Sequence, residues 1–459
     1  MAVWSAVRLS QMTPDLRWDS EHYRPEYLRQ EKAIAQFGTV LLGNVADISD
    51  GNHLSIAEEF SSEGIRYLRG HDLSDFFISD SDPIYIPEKT YATLARSHMI
   101  CGDVLIGIVG TIGTVGLVTE RHGSLTGSCK LAIVRTKALP AEYIAVYLAS
   151  RLGQNEMARR TRGAVQMGLI LPDLHELPLI EPTKSVLDRV VSLVHSAENE
   201  RMRATDKFQS AERRLLEALG LDDLDLVTDK YQVASFRTMA NAKRYDAEHF
   251  SIPGLRKWHS PFPIRLLGDP DVSSFVSNGS TPAATDYADV GTPIIKVGDV
   301  DSNGLSTWGG DRVRKDSSAA RGPRGDLLCG DVVVLCAAHH IRYIGKAGLF
   351  VGIEGYDGPV RSVGELITVR SGSKLNPQSL CLYLNLPAVR NESQRHVRGL
   401  SAHLYPDDFR QIPVPLLPCK LQEKLADLFE ESLSARCEAT RLLDEAKKTV
   451  ENMIAEGAL

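Results

Sequence analysis

The chain has 459 residues, 43% of them apolar, and sets 52 Lys and Arg against 59 Asp and Glu for a net charge of −7. That length exceeds one ordinary core and predicts two or more domains; no apolar run spans a bilayer, and the first twenty residues lack the basic-then-apolar pattern of a secretion signal. No segment is strongly basic (17 basic against 22 acidic residues over 1–182, 7 against 7 over 183–222, 22 against 21 over 223–416, 6 against 9 over 417–459), so contact with a polyanion must rest on local clusters or on a partner's charge.

In chain order, the first marked stretch is RWDSEHY (17–23), followed by YLRGHDL (67–73), in which Arg69 closes an expected strand and, like its later counterpart Lys296, is a candidate DNA contact or else a structural salt bridge. DVLIGIVGTIGTVGLV (103–118) then places glycine at every third position: Gly107, Gly110, Gly113 and Gly116. A dinucleotide fingerprint needs G-x-G-x-x-G, and a Walker loop needs G-K-[ST]; both are absent, and β-formers rather than a helix start follow Gly116. The run therefore predicts two short strands joined by a glycine turn at Gly110–Gly113. Next, RRTRGAVQ (159–166) groups Arg159, Arg160 and Arg162 with Gln166. Arg and Gln make bidentate contacts with base edges, and Arg also binds phosphate; a solvated helix end is the plain alternative.

The proline-flanked LPLIEP leads into a helical pattern over 185–219, with a seam through Val186, Val190, Leu193, Ala197, Ala204, Phe208, Ala211 and Leu215. Glu200 interrupts that seam, and a slip is expected between Ala204 and Phe208. Gly220 is the expected C-cap, and LDDLDLVTDK (221–230) an acidic linker.

After the linker the sequence repeats itself. RYDAEHF (244–250) answers RWDSEHY, IIKVGDV (294–300) answers YLRGHDL with Lys296 in the place of Arg69, and CGDVVV (329–334) answers CGDVLI. The offset grows from 227 (Arg17 to Arg244) to 236 (Gly163 to Gly399), as small loop insertions would produce. RVRK (312–315) makes Arg312 and Arg314 candidate phosphate contacts. The glycine run is answered by DVVVLCAAHHIRYIGKAGLF (331–350), which loses most of the glycines and puts His339, His340 and Arg342 at the turn. QRHVRGLSAH (394–403) matches the first arginine cluster and offers Arg395, Arg398 and His403. IPVPLLP then leads into a second helical pattern, over 420–454, whose seam includes Leu425, Leu428, Ala439, Leu442 and Ala446. The architecture expected is α+β: two similar mixed domains, 1–182 and 223–416, separated by two long helices, 183–222 and 417–459, packed as an antiparallel coiled coil. Two independent helices, each docked on its own domain, are the alternative.

Seven cysteines without C-x-x-C pairs point to reduced thiols and a cytoplasmic protein, and thirteen histidines without metal-ligand spacing predict no bound metal. No methyltransferase N/D-P-P-[YF] motif, Walker loop or Ser-His-Asp arrangement can be read, so no catalytic residue is expected. Asp103 and Asp331, in repeated CGDV turns, are expected to bond their own backbone. Two similar domains suit a target with two half-sites, and duplex DNA is the obvious one.

The strand–GTIG–strand element (102–118), the stretch RGAVQMGLILPDLHELPLIEP (162–182) with its following helix, and both copies of R-x-D-x-E-H-[YF] resemble the DNA-specificity subunit of type I restriction-modification systems. The resemblance covers nearly the whole chain. It departs where Gln422 follows Pro418 but the first copy has no such glutamine, and where AAHHIRYIG replaces GTIG in the second copy. It implies a non-catalytic subunit in which each domain reads half of a split DNA target and the helices set the gap. It further implies docking of two methyltransferase subunits and of restriction/translocase subunits, with S-adenosylmethionine, ATP and Mg on those partners. A specificity adaptor of another DNA-modifying defence system, a self-contained nuclease or methyltransferase, and a purely structural scaffold are the alternatives.

Overall fold

The computed structural model describes residues 5–9, 12, 17–73, 76–163, 166–222, 224, 226, 233–301, 303–322, 324, 326–399 and 402–456. Most of the expected acidic linker lies outside them. The chain divides into two compact units, one of residues 1–201 and 436–459, the other of residues 202–435.

The first unit is built on a five-stranded sheet. Its order is Ala46–Asp50, Leu131–Thr136, Asp103–Gly107, Val115–Leu117 and Phe76–Phe77, with only the last pair parallel. A three-stranded sheet places Ile65–Leu68 between antiparallel Ile84–Ile86 and parallel Leu125–Gly127. Thr39–Leu41 pairs with Pro178–Ile180. Side chains alternate across each strand, so Val104 and Ile106 face one core while Leu105 faces another. Burial on both faces is why DVLIG reads as a continuous apolar run.

The second unit repeats this order and every strand sense. Its five strands are Ser273–Asn278, Leu366–Ser371, Val332–Leu335, Ala347–Phe350 and Leu305–Ser306, again with the last pair parallel. Tyr287–Ile295 lies between antiparallel Arg312–Val313 and parallel Arg361–Ser362, and Ile264–Leu266 pairs with Pro413–Pro415. In both units a buried aspartate closes the turn before the central strand. Asp103 accepts from Ile100 N (2.9 Å) and Asp331 from Leu328 N (2.8 Å), as expected for turn aspartates, and Arg135 and Arg370 bind the same carboxylates.

The long helices run Lys184–Leu219 and Cys419–Glu456. In the first unit Val190, Val194 and Ala197 share a core with Leu442, Leu443, Ala446 and Val450, and Arg189 pairs with Glu445 at 2.9 Å. In the second, Ser432 Oγ donates to Ala204 O (2.7 Å), Lys207 pairs with Glu431, and the rings of Phe208 and Phe429 lie 6.0 Å apart. Within the second unit partner numbers fall as residue numbers rise, so these two segments run antiparallel there. Gly304, with φ +76°, sits against both rings; a Cβ there would come within 2.9 Å of Phe208.

Two details of the seam differ from the expectation. Val194 and Phe429 hold the buried positions, while Leu193 and Leu428 are half-buried beside them. The expected slip is also missing: Val190, Val194, Ala197, Arg201, Ala204, Phe208, Ala211 and Leu215 alternate fours and threes without a break. Arg201, not Glu200, stands at the non-apolar place in the seam, its guanidinium 5.6 Å from the Phe77 ring centre.

Gly220 (φ +60°) ends the first long helix as expected, with Leu221 N donating to Leu216 O at 3.1 Å. Gln422 is buried at the start of the second: its side chain accepts from Asn376 N (2.8 Å) and donates to Lys374 O and Leu417 O. No described helix is long and apolar enough to cross a membrane.

Candidate nucleic-acid interface

In each unit the turn beyond the central strand meets the loop that follows an arginine-bearing helix. In the first unit the glycine run is a strand–turn–strand, as expected. Gly107 N donates to Thr114 O and Gly113 N to Gly107 O, both at 2.8 Å, and Gly110 and Gly113 take φ of +82° and +81°. This tight turn is stitched to the loop after helix Arg151–Arg160: Leu169 N donates to Ile108 O (2.9 Å), and Arg162 and Gly168 exchange backbone hydrogen bonds of 2.8 Å. Ile108 N donates to Lys130 O (2.9 Å), and Gly70 lies so close to the turn that a Cβ would come within 2.5 Å of Thr111 Oγ1. Four loops thus converge, and they present Gln166, Met167, Ile170 and Lys130 to solvent.

The second unit repeats the stitching with a different tip. Leu404 N donates to Cys336 O (2.7 Å), Cys336 N to Glu365 O (2.9 Å), and Arg398 and His403 exchange backbone hydrogen bonds. Glu365 therefore stands where the first unit has Lys130. The tip, 336–346, has eleven residues against seven in 108–114, and includes a short 3-10 turn at Ile341–Tyr343. It rests on helix Pro387–Arg395 through Arg390, whose guanidinium donates to Arg342 O (2.5 Å); Gln154 does the same for Gly113 O (2.9 Å) in the first unit. Burial pushes the Cys336 thiol beneath this tip up to about 12, so it stays protonated.

The repeated R-x-D-x-E-H-[YF] motif is a clasp on these helix ends. Arg17 binds Asp19 through two nitrogens (2.9 and 2.7 Å) and donates to Thr161 O (3.1 Å), while His22 Nδ1 donates to Arg159 O (2.7 Å). Arg244 binds Asp246 in the same way (2.6 and 2.5 Å) and donates to Val397 O (2.8 Å); His249 Nδ1 donates to Arg395 O (2.7 Å). The Arg244 hydrogen bond holds the Asp246 carboxyl at about 2. Burial, followed by repulsion from Arg159 and Arg17, lowers His22, and burial with Arg395 and Arg244 lowers His249; both rings are kept neutral, with Nδ1–H fixed by its carbonyl.

The candidate residues fall into distinct environments. Arg159 and Arg395 are buried: Arg159 pairs with Glu31 (3.2 Å), and Arg395 with Glu392 (2.6 Å). Burial opposes the ionisation of Glu392, but His396 and Arg395 outweigh it and bring the carboxyl to about 2. Arg160 is mostly covered and pairs with buried Glu156. These three guanidiniums are engaged inside their own units rather than offered to solvent. Arg162 is held by Asp173 (2.6 Å) and Arg398 by Asp408 (2.6 Å), each with its side chain partly open to solvent. Arg69 is bound by Asp72 (3.2 Å) and by Asp82 O (2.7 Å), and Lys296 by Asp311 (3.1 Å), so each candidate is engaged in a salt bridge. Arg312 lies between Trp308 and Tyr356, 4.4 and 5.6 Å from their ring centres, and Arg314 is 3.5 Å from Asp286 and Asp316. His339, His340 and Arg342 are exposed at the tip, and His403 is half-buried with its ring 4.4 Å from Tyr405. Lys130, Glu365, Met167 and Ile170 were not singled out from sequence; their place opposite the tip follows from strand pairing, which no local pattern reveals.

No family model and no curated protein matches the chain. Among solved structures, the S subunit of the type I restriction-modification system from M. genitalium is similar over 90% of this chain and 96% of that one, at 11% identity and TM-score 0.40. The HsdS subunit from Thermoanaerobacter tengcongensis is similar over 91% and 96%, at 14% identity and TM-score 0.30. A chain from a structure of type I R-M complex assembly and conformational transition is similar over 92% and 97%, at 15% identity and TM-score 0.31.

Proposed function

We propose that this chain is the DNA-specificity subunit of a type I restriction-modification complex, reading a two-part duplex target with one loop cluster per unit. One observation carries the reading: the units share strand order, strand sense and the Arg–Asp–His clasp, yet differ in the tip that the shared scaffold presents. Scaffold identity with tip divergence is what two readers of unlike half-sites require, since base-edge contacts specify while the frame positions. In the first unit Gln166, Arg162 and Lys130 would face the groove; in the second His339, His340, Arg342, Arg398 and Glu365 would, Glu365 being suited to accept from cytosine N4.

In this reading the chain performs no chemistry. Two adenine methyltransferase subunits carry S-adenosylmethionine, a restriction subunit carries ATP and Mg, and the partners supply most of the phosphate neutralisation that an acidic chain lacks. The long helices set the interval between half-sites. Genome-wide mapping of methylated adenines in cells expressing the chain with its methyltransferase tests this. A split motif with a fixed gap is expected; an uninterrupted motif, or no methylation with both subunits present, overturns it.

A further inference from the structure

The clasp has an outer face as well as an inner one. Arg17 and His22 turn inward, and so do Arg244 and His249, but the residue between arginine and aspartate turns out. Trp18 is 76% exposed and Tyr245 is 69% exposed, at equivalent positions of the two units. Each aromatic is carried on a backbone pinned by a bidentate Arg–Asp pair and a histidine–carbonyl bond. A rigid exposed aromatic loses little entropy on being covered, which is why Trp and Tyr anchor protein interfaces. Carboxylates flank it both times: Asp19 and Glu21 beside Trp18, Asp246 and Glu248 beside Tyr245, all open to solvent. Arg24, the exposed cation nearest Trp18 in sequence, is paired with Glu21 (3.0 Å) and Glu26 (3.7 Å). Glu21 and Glu248 hold equivalent exposed places beside the two aromatics and suit an apolar pocket rimmed by Lys or Arg, although Lys243 is also exposed beside Tyr245.

We infer that Trp18 with Glu21, and Tyr245 with Glu248, are duplicated docking patches, each taking one copy of the same protein partner. Because the patch occurs once per unit with the same chemistry, the partner is one present twice. Resting on the function proposed above, that partner is the methyltransferase subunit, which each patch holds beside the loop that reads its half-site.

The test uses the full chain and its cognate methyltransferase subunit, with native mass spectrometry and titration as readouts. Wild type should bind two copies. Trp18→Ala and Tyr245→Ala should each weaken one of the two by at least about tenfold, the double variant both, and Glu21→Lys with Glu248→Lys should reproduce the double variant. Unchanged melting temperatures verify that these exposed substitutions leave the fold intact. Two copies bound to the double variant at wild-type affinity overturn the inference, as does unchanged stoichiometry with weakened DNA binding, which would make the aromatics DNA contacts. If wild type itself binds no methyltransferase, the proposed function falls first and the docking role with it; two copies on wild type leave that function standing whatever the variants do.

Discussion

The two tips show what the shared scaffold leaves free. In the first unit Gly110 and Gly113 fold seven residues into a tight turn without a charged side chain; in the second, eleven residues carry two histidines, an arginine and a tyrosine. Both are fastened at the same places, to the loop after the arginine-bearing helix and to the strand end at Lys130 or Glu365. The difference teaches that loss of glycine from the second copy is no loss of frame: the turn is closed by backbone hydrogen bonds at its base, and what lies beyond is open to change.

The sharpest way to break the comparison is to transplant residues 108–114 in place of 336–346. The second half of the methylated motif should be lost or redirected, by at least about a hundredfold at several base contacts of roughly 1–3 kcal/mol each, while the first half stays. Methylation mapping reads both at once, and a change in the first half would show the tips are not independent.

Next in size are the buried guanidiniums. Arg395→Ala removes a guanidinium from both oxygens of Glu392, leaves that carboxylate with Leu255 N and His396 but without this arginine, and should destabilise the second unit by about 3 kcal/mol in chemical denaturation. Arg159→Ala should do less to the first unit, about 1–2 kcal/mol, because Glu156 keeps Arg160 and Gln30. Equal losses would contradict the asymmetry.

Smaller still is the exchange of sign opposite the tips. Lys130→Glu and Glu365→Lys should each alter preference at one base pair of their own half-site, by about 1–2 kcal/mol, without moving the melting temperature. Selection from a randomised duplex library by the assembled complex checks this.

The smallest effect belongs to acid. Asp246 is held at about 2 in the fold, below an unfolded value of about 3.9. Its depressed pKa means the stabilisation is present above pH ~4 and fades as pH falls through ~2. Asp246→Asn should therefore differ from wild type at neutral pH and converge with it near pH 2 in melting temperature. The gap should be well under 1 kcal/mol, since the carboxylate is more than a third exposed and water screens it.

The duplication was legible because its anchors are side-chain bonds that need particular residues. Arg and Asp two apart form a bidentate pair, and a histidine three beyond the Asp reaches a carbonyl more than a hundred residues away. The glycine turn was legible by exclusion of phosphate-binding spacings. What could not be read was which arginines face water. Leu152, Glu156 and Arg159, like Ala388, Glu392 and Arg395, recur at i, i+4 and i+7, and share one buried helix face. A buried ion pair imitates a solvated face when only polarity is considered. The seam deceived in the same way: Glu200 was read as its interruption, whereas the seam passes through Arg201.

The composition of the first unit has a consequence for how it is made. Its core is closed by Leu442, Leu443, Ala446 and Val450, although most of its chain leaves the ribosome first. The second unit is one contiguous stretch and has all its residues by 435. The part translated earliest is thus finished last, after some 230 later residues have emerged. A stop codon near residue 436 would spare the later unit and injure the earlier one.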